Sequence, residues 1–91
     1  VELTDGDSLS VAWNHKAAGN RTVTATIVGE GTLTVSNGAE TVATFTGPVT
    51  DGTAVYAGEA GLENLSFAFS GAGTSTFSLD EDRSGLMLIF R

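Results

Sequence analysis

Thr32-Leu33-Thr34-Val35-Ser36-Asn37-Gly38-Ala39-Glu40-Thr41-Val42-Ala43-Thr44-Phe45-Thr46 is the stretch that decides the fold. Apolar and polar residues alternate on both sides of Asn37-Gly38, as in strands with one dry and one wet face. Asn-Gly tolerates positive φ at both central positions, which a type I′ hairpin turn requires. Residues 39–46 are therefore expected to pair antiparallel with 32–36.

The same alternation extends outward in both directions. Residues 21–28 place Val23, Ala25 and Ile27 on one face and Thr22, Thr24 and Thr26 on the other. Residues 8–13 do so with Leu9, Val11 and Trp13, and Leu65, Phe67 and Phe69 alternate with Ser66, Ala68 and Ser70. Short strands are also expected at 1–4, 54–57 and 74–79, the last with Phe77 and Leu79 inward. Loops are expected at 14–20, at 47–53 around the single proline, Pro48, and at the acidic 80–85. Gly29-Glu30-Gly31-Thr32 and Gly71-Ala72-Gly73-Thr74 look alike and mark two similar turns. Strands spaced by ~8–12 residues predict an all-β sandwich or barrel of about eight to nine strands. No helical period is sustained.

The closing run Leu86-Met87-Leu88-Ile89-Phe90 is apolar on both faces, so both need cover, from the opposite sheet or from another subunit. The 91 residues predict a single domain. No cysteine is present, which removes disulfides and thiolate metal sites. With eleven acids against Lys16, Arg21, Arg83 and Arg91, the formal charge is −7. Such a surface repels phosphate, so neither nucleic acid nor an anionic membrane is an expected partner. The Val1 start matches methionine removal from a small cytosolically made protein, and one trimmed module without linkers is expected.

Few residues speak for chemistry. Asp80-Glu81-Asp82, with Glu2, Asp5 and Asp7 if the chain ends meet, could supply hard oxygen ligands to calcium; Asp80, Asp82 and Glu2 are the candidate ligands. The alternative is a solvated acidic turn guarding a sheet edge. His15, the sole histidine, reads as a surface residue without a nucleophile's motif around it. Glu59 and Glu63 form the kind of acid pair glycoside hydrolysis uses, but so many acids make pairs inevitable. Tyr56 and Trp13 are the candidate aromatic platforms for a sugar, with core packing the competing role of Trp13. The row Thr22, Thr24, Thr26 could face a ligand or ice, or be the wet face of a strand.

Residues 21–79 resemble the jelly-roll β-sandwiches of carbohydrate-binding modules. The resemblance lies in Gly31-Thr32-Leu33-Thr34-Val35, Leu65-Ser66-Phe67-Ala68-Phe69, Gly73-Thr74 and Leu79-Asp80. It implies an antiparallel jelly-roll sandwich and a structural calcium at Asp80, although the family's row of aromatic platforms is missing. Similar sandwiches look to be common among phage capsid decoration proteins and head or tail accessory subunits. The expected function is a non-enzymatic virion subunit of this kind. It would be oligomeric, docking on capsid or other assembly subunits or on its own copies, with Leu86, Met87, Leu88, Ile89, Phe90, Tyr56 and Trp13 as the interface. The alternative is a carbohydrate-binding module of a secreted, extracellular enzyme.

Overall fold

The computed structural model describes residues 2–81. Eight strands occur among the described residues: β1 (Glu2–Leu3), β2 (Ser8–His15), β3 (Gly19–Val28), β4 (Thr32–Asn37), β5 (Glu40–Thr46), β6 (Val49–Gly58), β7 (Gly61–Ser70) and β8 (Thr74–Glu81). No helix occurs among them. They form two antiparallel four-stranded sheets, with orders β1-β8-β3-β6 and β2-β7-β4-β5. The expected run 86–90 and its Leu86, Met87, Leu88, Ile89 and Phe90 lie outside the described residues.

The pairing is nested. Strand β4 pairs with β5, β3 with β6, β2 with β7 and β1 with β8, as in a ribbon folded back at its midpoint. The ribbon then curls so that β3 also meets β8 and β4 also meets β7. The midpoint is the hairpin from which the fold is read, and its strands pair as expected. Its turn differs. Asn37 belongs to β4 and faces Glu40 across the hairpin, so the central residues are Gly38 and Ala39. Only Gly38 has positive φ, at 62°, the signature of type II′ with glycine first. A bulge next to Val35 absorbs the displaced residue and keeps Ala43 and Phe45 inward.

The core lies between the sheets, as a β-sandwich requires. Val23, Ala25 and Ile27 from β3 meet Leu33 and Val35 of β4 and Leu65, Phe67 and Phe69 of β7, all buried. Phe67 and Phe77 stack at 3.9 Å between ring centroids with planes 9° apart, joining one sheet to the other. Leu9, Val11, Trp13 and Leu79 are half-buried against the core.

Three expected loops are shorter than the sequence implies. Strand β2 runs on through His15 and β3 starts at Gly19. Strand β6 begins at Val49, its alternation disturbed by a bulge where Asp51 adopts φ 51° and its N–H meets Thr26 Oγ1 at 3.0 Å. Asp80 is in β8, opposite Thr22, rather than in a loop.

The two look-alike Gly-x-Gly turns touch. Gly73 N–H donates to Glu30 O at 2.7 Å, and Gly47 N–H to Gly31 O at 2.9 Å. A Cβ on Gly71 would lie 2.3 Å from Gly31 Cα, so only bare backbone fits there.

Candidate functional site

The inward rows turn polar at the other end of the sandwich. Following each apolar row along its strand leads to His15 on β2, Arg21 on β3, Asn37 on β4, Tyr56 on β6 and Glu63 on β7. Register puts Arg21 opposite Tyr56, and Trp13 opposite Glu63. Arg21 is fully buried at 0% exposure, and His15 and Glu63 are buried with it.

Glu63 is the hub. Its Oε1 accepts from Tyr56 OH at 2.9 Å and lies 2.9 Å from His15 Nε2, while Oε2 accepts from Asn37 Nδ2 at 3.1 Å. His15 Nε2 is also 3.2 Å from Arg21 Nε. One ring nitrogen serves one of these neighbours at a time: protonated it donates to Glu63, unprotonated it accepts from Arg21. The imidazole thus stands between a buried carboxylate and a buried guanidinium, with Trp13 against it at 4.3 Å between centroids. The guanidinium spends its other donors on backbone. Nη1 donates to Gly19 O and Nη2 to Ala17 O at 3.2 Å and Glu59 O at 2.9 Å. Arg21 therefore ties the β2–β3 loop to the β6–β7 turn, carbonyl by carbonyl.

This arrangement corrects the expectation for His15. The histidine is a strand residue 3% exposed, inside the network rather than on the surface. Of the acids Glu59 and Glu63, Glu63 is buried in the network, and Glu59 meets Arg21 through its main-chain carbonyl. Tyr56 is half-buried with its hydroxyl on Glu63, and Trp13 is half-buried against the core and His15, so neither ring stands out as a flat platform. Of the carboxylates expected to bind calcium, Glu2 and Asp80 do not converge. Glu2 lies opposite Thr76, so Asp80 is four residues further along β8, roughly 13 Å away at strand rise. Asp82 lies outside the described residues, among which no cluster of three or more metal-ligating side chains occurs.

Burial, then the hydrogen bond to Glu63 and its charge, push the Tyr56 phenol well above its ordinary value, with Arg21 pulling weakly the other way. A phenol raised on folding contributes stability that is fully present below its unfolded pKa of about 10 and lost as pH rises through the folded value. Tyr56 is the only tyrosine, so absorbance at 295 nm reports it cleanly. The expected result is no tyrosinate in the native protein near pH 10–11, then ionisation coincident with alkaline unfolding. Tyr56→Phe should cost about 1–2 kcal/mol by denaturant titration at neutral pH.

A groove of about 400 Å³ adjoins the network, lined by Asn37, Glu40, Gly58, Glu59, Leu62 and Glu63 among others. The carboxylate it reaches, Glu63, already accepts three hydrogen bonds or contacts. The network holds the end of the sandwich together. Neither the sequence rule that polar runs are loops nor that for lone histidines could find it. The available signal was parity: His15, Arg21, Asn37, Tyr56 and Glu63 each fall in step with the apolar row of their strand. No known protein family, curated protein or solved structure matches this chain.

Proposed function

We propose that this chain is a non-enzymatic structural subunit, a jelly-roll sandwich that docks on a repeated protein assembly as a virion decoration or accessory protein. The nested strand pairing supports the jelly-roll reading, because a doubled-back ribbon curled into two sheets is how that topology arises. The observation that carries the docking reading is the outer face of the β2-β7-β4-β5 sheet. It presents Ser8, Ser10, Ala12 and Asn14, then Leu62, Asn64, Ser66, Ala68 and Ser70, then Thr32, Thr34 and Ser36, then Thr41, Thr44 and Thr46. The only charged side chains in these four strands are Glu63, which points inward, and Glu40, beside the groove.

A chain of formal charge −7 thus keeps a whole four-stranded face free of charge. The opposite sheet does not, with Glu2, Asp51 and Asp80 exposed. Charge depletion is one compositional mark of an interface centre, since burying an unpaired carboxylate costs several kcal/mol. Short hydroxyl side chains can hydrogen-bond across such a contact while losing little rotamer freedom. Aromatic stacking, by contrast, has poor support at Tyr56 and Trp13, which face inward. Sedimentation with purified virus particles, run beside a glycan array, tests the reading. Saturable binding to particles is expected; glycan binding without particle binding would overturn it.

A further inference from the structure

The edges of the two sheets are not alike. Strand β1 is two residues long. Strand β6 is broken by the bulge at Asp51 and preceded by Pro48, and β5 carries a bulge and Glu40. Such features keep an edge from pairing with another chain. Strand β2 has none of them. It is eight residues long, in unbroken register with β7 from Ser8 to His15, with no proline and no acid or lysine. No strand among the described residues covers its outer side.

We infer that β2 pairs antiparallel with β2 of a second copy, about a two-fold axis at Val11, joining the two sheets into one of eight strands. The backbone phase fits. Gly6 N–H donates to Phe69 O at 2.9 Å and Phe69 N–H to Asp7 O at 3.0 Å, so Phe69 turns its backbone groups towards the β2 side. By alternation along β7, Phe67, Leu65 and Glu63 do the same, and their partners Leu9, Val11 and Trp13 bond inward. The groups of Ser8, Ser10, Ala12 and Asn14 are then the ones that point away from every described strand, placed to exchange hydrogen bonds across the axis.

The side chains fit the same register. Val11 meets its own copy, and Leu9 meets Trp13 of the second copy, so half-buried apolar residues cover each other. On the opposite face, Ser10 meets Ala12 and Ser8 meets Asn14, without bulk or charge. At both ends the axis brings exposed Lys16 of one copy to the turn holding Asp5 and Asp7 of the other, an opposite-charge match made twice by symmetry.

Sedimentation of the full chain should show a concentration-dependent dimer. Ala12→Pro removes an outward N–H and places a ring in the partner's path, which a solvent-facing edge tolerates. It should abolish the dimer with the circular dichroism unchanged, and Lys16→Glu should weaken it about tenfold. Should Ala12→Pro fail to fold, cross-linking decides. In the cysteine-free chain, Val11→Cys puts two sulfurs on the axis, with Cα atoms ~4.5 Å apart, and should oxidise to a covalent dimer. Ala12→Cys, two positions from its symmetry mate's register partner, should not. A monomer at all concentrations, a dimer that survives a folded Ala12→Pro, or equal cross-linking of the two cysteine variants would overturn the pairing. It does not rest on the docking reading, since a monomer that binds particles would remove the one and leave the other.

Discussion

Arg21→Met is expected to lower the unfolding free energy by about 3–5 kcal/mol, the usual cost of removing one member of a buried charged network. For a domain of this size that corresponds to a fall in Tm of roughly 12–30 °C. The reason lies in what the guanidinium leaves behind. Three part-buried carbonyls, of Ala17, Gly19 and Glu59, lose a donor at this end of the sandwich, and the buried Glu63 loses the nearby positive charge. An abandoned acceptor costs up to about 1–3 kcal/mol where water does not replace the donor, and less where these part-buried carbonyls are wetted. Arg21→Lys keeps the charge but not the planar fork, so it should recover only part of the loss. The double variant Arg21→Met with Glu63→Gln should be less destabilised than the two single losses added together, because it leaves no lone buried charge. Denaturant melts of the four proteins would check this; strict additivity would mean that the two charges do not communicate through His15.

The second large effect is expected from a single methyl group. A Cβ on Gly73 would lie 2.0 Å from Val28 O and 3.0 Å from Gly29 C, against main chain that cannot swing aside as a side chain can. Gly73→Ala must therefore separate the two Gly-x-Gly turns, breaking the 2.7 Å bond from Gly73 N–H to Glu30 O. A cost of about 3 kcal/mol is expected from overpacking and the lost bond together. Ala72→Ser, at the exposed middle of the same turn, should stay within about 0.5 kcal/mol of the parent. Thermal melts of the pair separate close backbone approach from a general sensitivity of the turn.

These two sites mark where the sequence could and could not be read. Alternation placed Val23, Ala25 and Ile27, Leu65, Phe67 and Phe69, and the central hairpin, because a strand's period of two is written directly in its residues. It failed where inward positions are polar. His15 and Asn37 read as loop and turn residues because polar residues in series usually are, and only their partners on distant strands make them good interior residues. Those partners, Arg21 and Glu63, are 6 and 48 residues from His15, a relation that no local pattern carries. The likeness of the two Gly-x-Gly-Thr segments was visible, but not that they pack on each other. The bulge at Asp51 hid the first half of β6 for a different reason, since one extra residue inverts the alternation on which the reading depends.

The same period of two makes the docking face testable without disturbing the core. Thr34 and Ser66 sit near the middle of the charge-free face, on β4 and β7, with their inward neighbours Leu33, Val35, Leu65 and Phe67 untouched by substitution. The most direct measurement is the binding of the double variant Thr34→Glu and Ser66→Glu to virus particles, beside its melting temperature. Loss of binding with an unchanged melt is the result expected of a docking face, because two carboxylates would have to be buried unpaired. Undiminished binding by the folded variant would contradict it.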